Sequence, residues 1–192
     1  MDQCQSILYP IPLVTQQLPS HVYCRALLSA PECAQLIALA TQKGFRHFTQ
    51  SRYGEAGVVQ VETCEVTPDE AEFVYAKIAI TAVQLNHAHW QLALTGIAET
   101  FRVLRYADGY WTRPHVDCDY RLPDASKLSC IIQLVPKADF AGGVLTVAET
   151  DNIAMDQGDA VFFPAYAIHT VSAVTQGTRM VLAGWVHGPV LR

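Results

Sequence analysis

The amino-acid sequence predicts a single α+β domain that is mainly β, with two N-terminal helices packed outside a β-sandwich, jelly-roll or barrel core. The length of 192 residues suits one domain. Helical spacing of apolar residues is confined to the first half of the chain, and short β-rich runs separated by turn signals fill the second half. We therefore expect helical support over about 29–90 and a β-core over about 100–188.

The two helices are predicted from their start and stop signals. Ser29 is a suitable N-cap, a proline and a glutamate follow in the first turn, and Gly44 is a natural stop. Thr67 opens a second start signal, and apolar residues at helical spacing continue from there to about His87.

The strands are predicted from alternation and from β-rich runs bounded by turns. Residues 58–66 alternate between the two helices and form the first predicted strand. Six runs follow in the second half, at 101–106, 128–135, 144–148, 160–164, 169–174 and 179–187. Turn sequences containing glycine separate them, for example Asp108-Gly109 and Gly142-Gly143.

Composition excludes several classes of protein. The chain is 51% hydrophobic, which excludes intrinsic disorder, and no window approaches the roughly 20 apolar residues of a membrane span. A net charge of −5 disfavours nucleic acid as a partner. Only 16% of residues are charged, against about 25% in an average protein. We expect a homodimer contact to cover part of this charge-poor surface.

The cysteines and the N-terminal residues indicate a cytoplasmic protein. Six cysteines are present without a CxxC pair, so we expect free thiols and no structural zinc site. We identify no sorting signal, because Asp2 stands where a secretory signal has positive charge.

A candidate metal site lies in the β-rich half. His115 and Asp117 share one face of an extended segment, because alternate strand residues point the same way. His169 begins a later predicted strand. Two histidines and one carboxylate form the facial triad that binds Fe(II) and leaves positions open. A lone His-x-Asp pair also arises by chance, so by itself it leaves an ordinary surface or core histidine as the alternative.

Seven segments around these residues carry a resemblance to a known family. They are FRVLRYADG (101–109), RPHVD (113–117), KLSCIIQLV (127–135), AGGVL (141–145), QGDAVFFP (157–164), HTVS (169–172) and GTRMVLAGW (177–185). In order and spacing the chain resembles the iron(II)- and 2-oxoglutarate-dependent dioxygenases, within them the prolyl 4-hydroxylase-like group, from about residue 31 to 188. The resemblance implies a double-stranded β-helix (cupin-like jelly-roll) core that uses Fe(II), 2-oxoglutarate as co-substrate, and O2.

The resemblance also implies roles for individual residues. His115, Asp117 and His169 would hold the iron and form the catalytic centre. Arg179 would bind the distal carboxylate of 2-oxoglutarate, for which the planar donor fork of arginine is well suited. Tyr106 matches a tyrosine that lines the family's cofactor pocket, although a core aromatic explains it equally well.

The sequence departs from the family on the third core strand, where better-known members often carry a hydroxyl that assists the arginine. Ser129 and Gln133 lie on one face of that strand here, so we expect both as contacts to the co-substrate. The substrate-binding candidates are Trp185, which shares strand parity with Arg179, together with Arg113 and Arg52. We expect His187 at a solvent-exposed strand end.

The activity implied by the resemblance is hydroxylation of an unactivated C–H bond with release of succinate and carbon dioxide. Because the chain reads as a minimal catalytic core, we expect a small-molecule or amino-acid-type substrate. Peptidyl-prolyl hydroxylation is the alternative within the class. A cupin-like metal-binding or isomerising protein without oxygenase activity is the alternative outside it, and Arg179 argues against that, because such a protein needs no anchor for an anionic co-substrate.

Overall fold

The computed structural model describes residues 18–48, 61–119, 124–148 and 150–189, with side chains described for all of these except 150–152. Two α-helices are present, α1 (Ala30–Lys43) and α2 (Glu72–Leu85). The strands are β1 (Val22–Cys24), β2 (Arg46–His47), β3 (Glu62–Val66), β4 (Phe101–Tyr106), β5 (Thr112–His115), β6 (Asp124–Gln133), β7 (Phe140–Gly142), β8 (Leu145–Val147), β9 (Thr150–Ile153), β10 (Ala160–Pro164), β11 (His169–Val171), β12 (Val174–Gly177) and β13 (Arg179–Pro189). No helix in these ranges is both long and apolar enough to cross a membrane.

The strands form two main antiparallel sheets. The large sheet has the order β1-β10-β6-β13-β4-β3-β2, the smaller one has the order β5-β11-β8-β9, and β12 pairs separately with β7. With the two helices, this arrangement confirms the predicted double-stranded β-helix core of a mainly β fold.

Two apolar clusters fill the space on either side of the large sheet. One joins buried residues of both helices, such as Leu36 and Ile78, to Phe101, Ile132 and Leu182 of the large sheet. The other joins Tyr106, Phe163 and Val181 of the large sheet to Leu145 and Val171 of the smaller one. The helices therefore support the outer face of the large sheet, and its inner face is free to build a site with the smaller sheet.

Helix α1 has the predicted ends. The Ser29 hydroxyl accepts a hydrogen bond from the Glu32 backbone N–H, and the Glu32 carboxylate accepts from the Ser29 N–H at 2.7 Å, which completes a capping box. At the other end, Gly44 takes a φ of 85° that favours glycine, and its N–H donates to Ala40.

Helix α2 begins later than predicted, at Glu72 instead of near Thr67. The Glu70 carboxylate accepts hydrogen bonds from the Thr67 N–H and hydroxyl and pairs with Lys43 of α1 at 2.6 Å. These contacts close a turn before the helix. The chain continues past Leu85 as a π-helical turn over Asn86–Trp90, beyond the predicted end.

Most predicted strands are present with altered ends. The predictions at 101–106 and 160–164 match β4 and β10, and the last strand extends to Pro189. The run at 169–174 is in fact two strands, β11 and the beginning of β12, that pair with different partners. Of the strand predicted at 58–66, residues 58–60 lie outside the described ranges and β3 covers the end. The strands β1, β2, β5, β7 and β9 were not predicted, because two to four residues carry too little pattern, although an extended segment was expected at 115–117 next to β5.

A buried carboxylate fastens β1 to the turn before β10. Asp159 accepts hydrogen bonds from the Tyr23 hydroxyl and from the backbone N–H groups of Ala26 and Asp156, at 2.5, 2.9 and 3.0 Å. Burial alone would raise the pKa of Asp159, but these hydrogen bonds outweigh it and hold the pKa below its usual value. Burial, together with the hydrogen bond to Asp159 and its charge, raises the pKa of Tyr23 to about 12.

Candidate active site

Pairing between two strands of the smaller sheet brings the predicted iron ligands together. His115 ends β5, His169 begins β11, and the two residues are direct partners in the antiparallel register, with ring centroids 4.1 Å apart. Asp117 follows on the chain, and its two carboxylate oxygens lie 3.6 Å from the Nε2 atoms of the two histidines. One ligand atom from each residue lies within 4.8 Å of the others. The three side chains therefore converge as a metal site requires.

Hydrogen bonds on the far side of each imidazole set it up as a metal ligand. His115 Nδ1 lies 2.9 Å from the Arg113 carbonyl, and His169 Nδ1 lies 3.1 Å from the Ala167 carbonyl. Because a carbonyl only accepts, Nδ1 carries the proton in both rings and the Nε2 lone pairs face Asp117. Burial lowers the pKa of His169, which favours its neutral, ligating form.

Asp117 is held ionised in a buried setting. Burial would raise its pKa, but His169 and His115 and hydrogen bonds from Ser129 and Trp185 outweigh burial and lower it. The Ser129 hydroxyl donates to Asp117 Oδ2 at 2.7 Å. A carboxylate and two neutral imidazoles are the donor set of a non-haem Fe(II) centre, so these residues fit the metal that the sequence predicted.

Arg179 presents an unsatisfied donor beside this centre. The side chain begins β13, is 2% exposed, and its Nη1 atom has no hydrogen-bond partner in the described part of the chain. Burial lowers the pKa of Arg179 to about 10, so the guanidinium is still charged at neutral pH. A buried charged donor without a partner is costly, and a ligand carboxylate would satisfy it. Arg179 therefore gives the site a donor that fits a carboxylate of 2-oxoglutarate.

The residues around Arg179 fix its position. Its Nε donates to Gln133 Oε1 at 3.2 Å, and its guanidinium lies 5.6 Å from the Tyr106 ring centroid. Tyr106 is the direct register partner of Arg179, and its hydroxyl lies 3.1 Å from the Thr112 hydroxyl. Gly143 leaves room for the arginine, because a Cβ there would lie 2.8 Å from Arg179 Cδ.

One cavity of about 240 Å³ contains both the triad and the arginine. Its walls are mostly apolar and come from both sheets. Described residues that line it include His115, Asp117, His169, Arg179, Tyr106, Trp185, Arg113, Arg102, Leu104, Ile131, Leu145 and Val181. The barrel interior thus encloses the metal ligands and the anion-binding donor in one space.

The structure gives two predicted co-substrate contacts different partners. Ser129 contacts Asp117 and not Arg179, so its hydroxyl supports the metal ligand. Gln133 contacts Arg179 through its carbonyl oxygen, while its amide nitrogen donates to the Val135 carbonyl at 3.0 Å. Both ends of the Gln133 amide therefore bond to the protein, and its oxygen orients Arg179.

Two of the three predicted substrate-binding residues lie at the cavity. Trp185 and Arg113 both line the cavity, and each is half-buried. Arg52 lies outside the described residues.

His187 is buried, so its predicted exposure was wrong. Its Nδ1 accepts a hydrogen bond from the Ala98 N–H at 3.2 Å, and its Nε2 lies 3.3 Å from Glu99. Glu99 in turn pairs with Arg102 at 2.9 Å, and Arg102 reaches the cavity wall. Sequence reasoning missed Arg102. Strand parity with Tyr106 was the signal that could have found it.

The chain is similar to known proteins in sequence and in structure. The family model described as the 2OG-Fe(II) oxygenase superfamily matches residues 101–187. A PKHD-type hydroxylase of Cupriavidus pinatubonensis is 34% identical over 119 residues, which is 57% of this chain and 52% of the relative. The chain thus spans about half the length of that relative. A PKHD-type hydroxylase of Idiomarina loihiensis is 30% identical over 89 residues, which is 45% of this chain and 41% of that protein.

A solved structure supports the fold. The viral collagen prolyl hydroxylase of Paramecium Bursaria Chlorella virus-1 superposes with a TM-score of 0.69 at 20% identity, over 88% of this chain and 96% of that one. At this identity the likeness concerns the fold alone.

Proposed function

We propose that this chain is a 2OG-Fe(II) oxygenase of the prolyl hydroxylase-like group, which hydroxylates an unactivated C–H bond of a small-molecule or amino-acid-type substrate and releases succinate and carbon dioxide. One observation carries the proposal. Arg179, whose buried Nη1 has no hydrogen-bond partner among the described residues, lines the same cavity as the His115, Asp117 and His169 triad.

Each residue has a task in this reaction. Iron and 2-oxoglutarate, when bound, supply the chemistry that activates dioxygen. His115, Asp117 and His169 would hold the metal at the wall of the cavity. Arg179 would neutralise the distal carboxylate of the co-substrate and fix its orientation, and Gln133 accepts a hydrogen bond from the Arg179 Nε. The apolar wall from residues such as Leu104, Ile131 and Val181 excludes water, which limits side reactions.

The size of the cavity favours a compact substrate. Its volume of about 240 Å³ must be shared with the co-substrate, while pockets for drug-sized ligands measure roughly 300–1,000 Å³. Peptidyl proline is the second candidate. It is supported by the names of the similar proteins, which include PKHD-type hydroxylases and a collagen prolyl hydroxylase.

A metal-binding or isomerising cupin without oxygenase activity is the candidate from another class. Such a protein has no use for a buried arginine whose donor lacks a partner, and an uncompensated buried charge costs about 3–5 kcal/mol. Arg179 therefore favours the oxygenase.

Anaerobic titration with Fe(II) and 2-oxoglutarate tests the proposal through the visible absorption band of the chelate. We expect the band in the wild-type protein, its loss in the double variant His115→Ala with Asp117→Ala, and a weakened 2-oxoglutarate affinity in Arg179→Gln. His87→Ala, at an exposed position on the π-helical turn, is the matched control and should keep the band. Absence of the band in the wild type, or its persistence in the double variant, would contradict the assignment.

Succinate release across free amino acids, small metabolites and proline peptides then addresses the substrate. Turnover with amino acids or metabolites supports the small-molecule proposal. Turnover confined to prolyl peptides would replace it with the second candidate.

Two expectations from the sequence also belong to the proposal. The five described cysteines are free thiols, which supports a reducing compartment such as the cytoplasm. The charge-poor composition supports a homodimer, and Ile80 and Val83 expose more than half of their surface on α2. Sedimentation velocity would test the dimer, and a monomer at all concentrations would contradict it.

A further inference from the structure

We propose that Arg102 determines specificity by binding a carboxylate of the primary substrate against the Trp185 ring. The inference rests on the proposed function and names the chemical class of the substrate. The cavity wall carries Arg102 in addition to Arg179, the arginine that would bind the co-substrate.

Arg102 and Arg179 stand at opposite ends of one wall of the cavity. Arg102, Leu104 and Tyr106 alternate along β4 and all line the cavity. On the antiparallel neighbour β13, Arg179 pairs with Tyr106 and Ala183 pairs with Arg102. Tyr106 lies four residues from Arg102, so at about 3.4 Å per residue the Cα atoms of the two arginines are roughly 14 Å apart along the strand direction. Arg102 is therefore placed to serve a different group from the carboxylate that Arg179 would bind.

A relay of hydrogen bonds fixes the Arg102 side chain. Because His187 Nδ1 accepts from the Ala98 N–H, the His187 proton sits on Nε2 and can be donated to Glu99 Oε1, 3.3 Å away. The other oxygen of Glu99 accepts from Arg102 Nη2 at 2.9 Å. One edge of the guanidinium is thus held by a partly buried network.

The remaining surface of the guanidinium is available to a ligand. Its central carbon lies 4.9 Å from the Trp185 ring centroid, so one face rests near that aromatic wall. Within the described ranges, Nη2 is the one Arg102 nitrogen with a hydrogen-bond partner. A fixed guanidinium with spare donors suits a carboxylate.

The charges around Arg102 favour an anionic ligand. Among the described residues lining the cavity, Asp117 is the one acidic side chain, and the metal would neutralise it. Outside the lining residues, the Glu99 carboxylate accepts from Arg102 Nη2, so a substrate carboxylate would bind the other two donors of the guanidinium, Nε and Nη1. The carboxylate could belong to a free amino acid or small acid, or to an acidic side chain of a peptide.

The test measures binding of a carboxylate and of its matched amide, and it requires no turnover. The Trp185 indole N–H resonance, assigned with Trp185→Phe, is followed by NMR in protein loaded with Zn(II) and 2-oxoglutarate. The first titration compares N-acetylglycine with N-acetylglycinamide, and the second compares blocked peptides that carry Glu or Gln beside proline. We expect at least one acid to shift the resonance with an affinity about tenfold or more above its matched amide, as charge-assisted hydrogen bonds give. The pair with the larger difference identifies a free acid or a peptide as the source.

Two variants separate Arg102 from the general charge of the strand. Arg102→Gln should abolish the preference for the acid. Arg105→Gln should keep it, because Arg105 lies on the same strand but binds Glu62 and stacks on Phe45 without lining the cavity. The proposal is wrong if no acid shifts the Trp185 resonance, if acid and amide bind equally, or if Arg102→Gln keeps the preference. A missing Fe(II) chelate band would instead count against the proposed function, since the Trp185 response needs neither iron nor turnover.

Discussion

Replacing Gly143 with alanine should disturb the co-substrate anchor without touching an anchor side chain. Gly143 precedes β8 with a φ of +58°, and a Cβ built there lies 2.8 Å from Arg179 Cδ and 3.0 Å from Val174 Cγ2. Carbon atoms in ordinary contact are about 3.5–4.0 Å apart. The arginine would therefore have to move by roughly 0.7 Å or more.

Gly143→Ala should lower both the folding stability and the affinity for 2-oxoglutarate. Alanine in the left-handed region costs roughly 1–2 kcal/mol of folding free energy, and crowding a packed neighbour adds typically 1–3 kcal/mol. The displacement of Arg179 should also raise the Kd for 2-oxoglutarate about tenfold, which corresponds to about 1.4 kcal/mol. The Gln133 contact limits how far the guanidinium can adjust.

The measurements are urea unfolding and an anaerobic titration of the chelate band with 2-oxoglutarate. Gly109→Ala is the matched control, because Gly109 has a φ of +79° and nothing within 4 Å of the added Cβ. This control should lose roughly 1–2 kcal/mol of stability and keep the wild-type Kd. Equal 2-oxoglutarate affinity in Gly143→Ala and Gly109→Ala would refute the reasoning that Gly143 positions Arg179.

Three further predictions concern buried polar contacts. Ser129→Ala removes the hydrogen bond to Asp117 and should weaken metal affinity about 10-fold or more; metal titration that gave wild-type affinity would contradict it. Gln133→Leu leaves Arg179 Nε without its acceptor and should cost about 1–3 kcal/mol in urea unfolding together with weaker 2-oxoglutarate binding; unchanged values of both would exclude the orienting role. Asp159 has its folded pKa below the usual 3.8, so its carboxylate stabilises the fold above about pH 4 and this contribution is lost as pH falls through the folded pKa. Asp159→Asn should therefore be less stable than wild type at pH 7, with a difference that narrows below pH 4, and a difference constant between pH 7 and pH 3 would contradict the assignment.

The parts of the fold that follow local rules could be predicted from the sequence. The capping box at Ser29 and the stop at Gly44 act within one turn, so α1 was predicted to its ends. The turn at Thr67 contains the same signals, but there Glu70 is shared with Lys43 of another element, and the start of α2 was misplaced. Short strands such as β1 exist because a neighbouring strand pairs with them, and no local pattern announces them.

The sequence by itself predicted the candidate metal ligands and Arg179, because the resemblance to a known family assigns these roles to a His-x-Asp pair, a later histidine at a strand start and an arginine opening the last strand. Tertiary structure alone decided the partners of the supporting residues. Strand parity places Ser129 and Gln133 on one face, but only the register of β6 with β13 puts the first near Asp117 and the second near Arg179. The burial of His187 and its link through Glu99 to Arg102 likewise depend on where β13 meets a loop almost ninety residues away in sequence. Local periodicity specifies which face a side chain takes, whereas its partner is set by the pairing of distant strands.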